Sequence, residues 1–363
     1  MISSVRVQGV TESSERHLVQ CIRDVLIQGT NDLSWLKRGD VVLIKPALNS
    51  RDPYPATTHP VAVAAVSALL KERGATVVVG DQSGIASVLA CPDKIIRGST
   101  RQNCVMSGMG SLDDDSFVSF EDGGWNTGFY HHQSPHTRSW LNGFYLTTQA
   151  LKADHIINLP RVSSHAQAGV TLGLKCLVGL LREDSRIEFH ANGPLNQYII
   201  KNATGSGLPS QDDHTGTFFE KIVEISDAIR DKLRFTLFTA TKIQVLFGPD
   251  RFEVRRGDKG LGRAYEVSPK PGLVFGSANP VAAEAVALAL VLTYKRSTPL
   301  VRRLYEMLVL HQNPYIRELY SLPVKEHPFI RHAQAIGLGS FPDEIIYQDV
   351  PREMQNQFAH LLE

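Results

Sequence analysis

Two short, unbroken apolar runs, DVVLIKP (Asp40 to Pro46) and TVVVGD (Thr76 to Asp81), flank a helix-like segment, PVAVAAVSALLKERGA, that begins at Pro60. Runs of this length without polar alternation suit strands buried on both faces of a parallel sheet. The loop TTHP places Pro60 at the first turn of a helix, where its missing N–H costs nothing, and Gly74 ends that helix. The simplest topology is β-loop-α-β, a unit whose ligands bind outside the carboxyl ends of its strands.

The same alternation recurs along the chain. Ser4 to Val10 reads as an edge strand, and Ser13 to Gln28 has the cap, acidic first turn and apolar period of an amphipathic helix. HIINLP is a further buried strand, Phe218 to Lys232 a helix, and Lys242 to Phe247 a strand. GLVFGS is strand-like; after it Asn279 caps and Pro280 starts an apolar helix. The expected fold is α/β, with mainly parallel sheets, flanking helices and two lobes around a crevice. Residues 1–106 form an N-terminal α/β lobe in this reading. Residues 107–146, with DDD, EDGGWNTG and FYHHQSPHT, form an irregular insertion or lid, and 147–363 a second α/β lobe with a C-terminal helical segment.

Lys175 is the one charge in AGVTLGLKCLVGLL (Ala168 to Leu181), a run long enough for a helix. A buried ammonium needs an anion, a lowered pKa or a route to water along its stem. At about 100° per residue, Ala168, Thr171, Lys175 and Gly179 share a face of small residues that a ligand can approach. The plainer reading is a lysine that tops a core helix. Glu284 is a similar lone charge in AAEAVALALVL, to be paired, liganding, neutral, or settled in the first turn by the helix dipole.

Polar residues gather at the strand ends. Lys45 closes the first strand, and Thr57, Thr58 and His59 follow in the loop. Asp81, Gln82, Ser83 and Gly84 follow the next strand, while Asn158, Arg161, Ser163, Ser164 and His165 precede the lysine-bearing run. Each alone suits a cap or turn; together they point to one crevice. His131, His132 and His136 read as a surface loop, and His190 and His214 as weaker candidates.

Charge narrows the partners. Lys+Arg of 38 against Asp+Glu of 37 leaves +1, which gives no reason to expect a nucleic acid. No segment approaches the roughly 18 apolar residues of a membrane span, and MISSVRVQGVTESSERH is not a signal peptide. A cytoplasmic protein with a small-molecule ligand and no membrane partner is expected, with homo-oligomerisation left open. Cys21, Cys91, Cys104 and Cys176 are too dispersed for an iron–sulfur cluster, although Cys176 could gain a lowered pKa beside Lys175. Neither nucleotide fingerprint, G-x-G-x-x-G after a strand or G-x-x-x-x-G-K-[ST], occurs.

VVLIKPAL, TTHP, KERGA, VVVGDQSG, ADHIINLPRVSSHAQAGVTLGLKCLVGLL and GSANPVAAEAVA, in this order, resemble the family called domain of unknown function 362. Its familiar forms are close to VLIKPN, TTHP, GDSPG, NLPKLKTH, TGVTLALKNLFG and SxDPVAVDAV, and the match runs from about Val41 to Leu290. Ala47 stands where the family often has asparagine, Ser164 for threonine, Cys176 for asparagine and Glu284 for aspartate. Many relatives carry a ferredoxin-like cysteine cluster that this chain lacks, so the resemblance does not imply electron transfer here. The family is also distantly similar to the nickel-pincer lactate racemase group.

The expected function is an enzyme acting on a small anionic or carbonyl-bearing metabolite, of oxidoreductase or isomerase type. His165, Lys175 and His59 would be catalytic, and Lys45, Thr58, Asp81, Ser83, Arg161 and Thr171 would bind substrate. A metal-assisted version would hold a divalent ion on His59, His165 and Asp81 or Glu284. The alternatives are a non-catalytic small-anion binding or regulatory protein and, third, a redox accessory protein.

Overall fold

A computed structural model describes residues 3–110, 116–191, 201–208, 217–250, 254–256, 259–262, 265–309 and 314–363. The DDD triplet and His214 lie outside these residues. The strands used below are β1 (Ser4–Val10), β2 (Val41–Pro46), β3 (Thr76–Asp81), β4 (Phe117–Ser119), β5 (His155–Leu159), β6 (Ser163–His165), β7 (Gly169–Thr171), β8 (Leu233–Ala240), β9 (Ile243–Leu246), β10 (Tyr265–Val267), β11 (Gly272–Ser277) and β12 (Glu344–Gln348). The helices are α1 (Glu15–Gly29), α2 (Pro60–Glu72), α3 (Gly173–Cys176), α4 (Glu183–Ala191), α5 (Phe218–Glu224), α6 (Pro280–Ser297) and α7 (Leu300–Val309).

The protein is a mixed α/β fold around an eight-stranded sheet of order β12-β1-β11-β8-β5-β2-β3-β4. From β4 through β8 every neighbouring pair is parallel, and β11 runs antiparallel to both β8 and β1. Strands from 1–106 and from 147–363 therefore share one sheet, with β5 hydrogen-bonded directly to β2. A second sheet, β7-β6-β9-β10, stands beyond the carboxyl end of β5.

The apolar runs act as their pattern requires. Val42 and Ile44 pack with α1 and α2 on one face, while Leu43 joins the core on the other. Pro60 opens α2, and the His59 side chain caps it. Gly74 takes φ 84°, the left-handed conformation that stops a helix and favours glycine.

Three expectations change. Ala168 to Leu181 is not a continuous helix: β7, the four-residue α3 and a 3-10 turn, Leu177–Leu180, follow one another. Gly169 at φ 77° favours a turn there, and Val170 and Thr171 suit a strand. Ser163 to His165, read as loop, is β6, paired with β7. Stretch 107–146 supplies β4 to the sheet edge and a hairpin of Phe129–His132 with Phe144–Thr147. No helix among the described residues is long and apolar enough to cross a membrane.

Candidate functional site

A cleft of about 330 Å³ opens where the carboxyl ends of β2, β3 and β5 meet the second sheet. Leu48 and Asn49 follow β2, Asp81 and Gln82 close β3, and Arg161 follows β5. His165, Thr171, Lys175, Arg186 and His190 come from the later elements, with Phe247 to Asp250 after β9. Leu48, Ile85, Val178 and Phe247 give the cleft apolar walls, so its few charges act in a poorly solvated space.

Lys45 and Asp81 neutralise one another. Lys45 Nζ lies 2.7 Å from Asp81 Oδ1 and donates to the Pro46 carbonyl at 2.7 Å, with both side chains buried. Asp81 also accepts from the Leu48 and Gln82 amides, each at 2.7 Å. Gly179 permits this arrangement, because a Cβ there would stand 1.9 Å from Asp81 Oδ1 and 2.6 Å from Lys45 Nζ. Lys45 does not line the cleft; it binds two strand ends together.

Thr58, His59 and Ser83 also lie outside the lining. Thr58 Oγ1 accepts from the Ala47 amide at 2.7 Å and donates to the Leu159 carbonyl, joining the ends of β2 and β5. His59 Nδ1 accepts from the Val61 amide at 3.2 Å, the ring packs on Tyr54, and burial pulls its pKa down to about 4. Ser83 Oγ donates to the Leu48 carbonyl at 2.7 Å and accepts from Asn103 at 2.9 Å. Sequence placed these residues at the right strand ends, but their hydrogen bonds are spent on backbone and neighbours.

Arg161 is different. It is 1% exposed, and its Nε and Nη1 have no hydrogen-bond partner among the described residues. Burial lowers its pKa, with Asp250 opposing the shift. A planar, buried guanidinium with unpaired N–H groups suits a carboxylate. Lys175 is 7% exposed, lies 5.7 Å from the centre of the Phe189 ring, and has no carboxylate or hydrogen-bond partner among the described residues. Burial, then the Arg161 and Arg186 guanidinium groups, pull its pKa down to about 7. Thr171 Oγ1, buried on the same wall, also lacks a partner among the described residues. Asn158 holds the lysine-bearing segment in place through Nδ2 to the Gly173 carbonyl at 2.9 Å.

The two cleft histidines hold opposite tautomers. His165 Nδ1 accepts from the Gln167 and Ala168 amides, each at 3.0 Å, so in the neutral ring the proton is on Nε2. His190 Nδ1 lies 2.7 Å from the Arg186 carbonyl, which accepts only; Nδ1 carries the proton and Nε2 a lone pair. Burial first, then Lys175, holds both pKa values well below the ordinary range. Gln167 ties the pair together, donating its amide to His165 and its side-chain nitrogen to the His190 carbonyl at 2.9 Å. His190 was a weak sequence candidate because its stretch read as loop; α4 carries it to the cleft.

Of the residues expected to hold a metal, Asp81 and His165 line the cleft and His59 and Glu284 do not. His59 caps α2, His165 has no lone pair at Nε2, and Asp81 is bound to Lys45. Glu284 Oε2 accepts from the Leu174 amide at 3.0 Å, so this carboxyl caps α3 from below instead of lining the cleft. Burial raises its pKa to about 8. Cys176 does line the cleft, but burial pushes its thiol up to about 11, the reverse of activation. His131 and His132 are engaged away from the cleft, with the Asn142 carbonyl and Asp227, and His136 is outside the lining.

A family model described as Domain of unknown function (DUF362) matches residues 42–289. A thylakoid-associated protein of Synechocystis sp. is 31% identical over 159 residues, which are 43% of this chain and 44% of that protein; the match thus spans less than half the relative's length. Among solved structures, the lactate racemase apoprotein from Thermoanaerobacterium thermosaccharolyticum is weakly similar, with a TM-score of 0.39 and 14% identity over 66% of this chain and 50% of that one.

Proposed function

Taking as premise that this chain belongs to the domain of unknown function 362 family, we propose that it is an enzyme that moves a proton on a small, carbonyl-bearing carboxylate, an isomerase-type reaction. The observation that carries this reading is the pair of cleft histidines in opposite tautomers beside Arg161 and Lys175, whose donors lack hydrogen-bond partners among the described residues (Nε and Nη1 of Arg161, Nζ of Lys175). Arg161 would take the substrate carboxylate on its unpaired N–H groups. His190 Nε2, with its lone pair, would remove a proton from the carbon beside the carbonyl. The electron pair released from that C–H bond moves onto the carbonyl oxygen, where His165 Nε2–H and the Lys175 ammonium stabilise the developing charge. Return of the proton to another atom or face completes the reaction without loss of atoms or electrons.

The arrangement has a physical economy. A neutral imidazole donates a hydrogen bond without adding another charge to the buried cleft, and a bound carboxylate offsets the cost of burying Arg161 and Lys175. The second reading, an anion-binding protein without turnover, is favoured by the same two cations and differs only in the histidines' role.

Incubation with pyruvate and other small oxo acids in D2O, followed by proton NMR, separates the two. Deuterium incorporation by the wild type, reduced about 10²–10⁴-fold in His190→Ala, is expected for a general base. Saturable carboxylate binding with no exchange would leave the anion-binding reading and reject the enzyme. A divalent ion is checked by elemental analysis of untagged protein, where about one ion per chain would move the proposal to metal-assisted chemistry.

A further inference from the structure

Helix α7 is amphipathic in the reverse sense. At about 100° per residue, Leu300, Leu304, Leu308 and Val301 fall within an arc of about 100°, and Glu306 points the opposite way. The apolar arc faces solvent: Leu300 is 61% exposed, Val301 77%, Leu304 43% and Leu308 68%, whereas Glu306 is 3% exposed. Glu306 is held inward at both oxygens, Oε2 by Lys295 Nζ at 3.0 Å and Oε1 by the Phe247 amide at 2.8 Å. Its anchoring fixes the helix with its leucines outward. Single exposed leucines are ordinary; four side chains in one stripe of one helix mark a contact surface.

Charge identifies the occupant. From Lys295 to Val309 the charged residues that reach solvent are Arg296, Arg302 and Arg303, because Lys295 and Glu306 are buried on each other. We propose that α7 docks the protein flat on an anionic lipid surface, with the leucines at the acyl boundary and the arginines on headgroup phosphates. A second copy fits less well, since two-fold pairing through this stripe would bring like-charged arginine rims together. The docking helix also touches the cleft wall: the Phe247 amide that Glu306 holds belongs to a cleft-lining residue. The cleft is thereby kept beside the surface on which α7 lies.

The test is co-sedimentation of the full chain with vesicles of phosphatidylcholine alone and of phosphatidylcholine mixed with phosphatidylglycerol. Binding to the mixed vesicles, weakened by salt, is expected. Arg302→Gln and Arg303→Gln should each lower it about fivefold, and Leu304→Glu with Leu308→Glu by about tenfold or more. All four substitutions lie on exposed positions outside the cleft, and circular dichroism checks that the variants fold. Failure of the wild type to bind mixed vesicles, or equal binding by the Leu304→Glu, Leu308→Glu variant, would overturn the proposal. So would a dimer, seen by light scattering, that this variant splits, since the stripe would then be covered by a second copy.

Discussion

Lys175→Met should stabilise the ligand-free protein, by an amount that falls as pH rises. The ammonium is buried with no anion beside it among the described residues, and its pKa is brought from 10.5 down to about 7. At about 1.4 kcal/mol for each tenfold change in proton affinity, that difference corresponds to about 4 to 5 kcal/mol of folding free energy. The sign follows from the direction of the shift. Below the folded value both states carry the proton and the folded state bears the whole cost of the buried charge; above about 10.5 neither is charged and the cost is gone. The folding stability linked to this group is therefore present at high pH and lost as pH falls through about 7. Between about pH 6 and about pH 9 the cost shrinks by about 2 to 3 kcal/mol. Urea unfolding of wild type and Lys175→Met, dialysed free of carboxylates and phosphate, measures this difference, because groups common to both proteins cancel. A variant advantage that narrows by this amount is expected. A pH-independent difference, or a variant less stable at both values, would show that the ammonium already meets water or a partner and would remove the physical basis for anion binding there. The same substitution should weaken carboxylate binding, the stability–function trade expected of a strained site.

Glu284 tests the converse sign. Its pKa is raised from 4.5 to about 8, so its linked stability is present below about 4.5 and lost as pH rises through about 8. Glu284→Gln keeps an acceptor for the Leu174 amide; thermal melts should match wild type near the low end of that window and exceed it above the high end. Gly179→Ala drives a Cβ against Asp81 and Lys45, and chemical denaturation should show a loss of about 3 to 5 kcal/mol, the scale of a broken buried ion pair. Thr58→Val leaves the Ala47 amide and Leu159 carbonyl without their shared hydroxyl. A loss of about 2 kcal/mol or more in denaturant is expected, with carboxylate affinity unchanged because Thr58 is outside the cleft.

Much of the frame was legible because its causes are local. Val42 to Ile44 and Val77 to Val79 have no polar face to turn outward, and Pro60 and Gly74 set the helix between them, so β2, α2 and β3 could be read without a partner in view. The run from Ala168 to Leu181 misled for a related reason: apolar character alone does not distinguish a helix from a buried strand followed by tight turns, and its glycines decided for the latter. Thr171, Lys175 and Gly179 nonetheless reach the same cleft. Glu284, which looked like a counterpart to Lys175, meets that segment's backbone and not its ammonium.

Sequence by itself determined the α/β plan, the strand ends at which polar residues gather, and the need for some answer to Lys175. Only the tertiary structure decided which polar groups remain available. Lys45 and Lys175 are both lysines in apolar runs, yet one meets Asp81 at 2.7 Å and the other meets no anion among the described residues. His59, His165 and His190 are likewise one residue type with three roles, chosen by which neighbour takes Nδ1: the amide at the start of α2, the amides of Gln167 and Ala168, or the Arg186 carbonyl. Charge state and free lone pairs are set by whatever the fold brings within about 3 Å, a property of contacts distant in sequence that local periodicity does not encode.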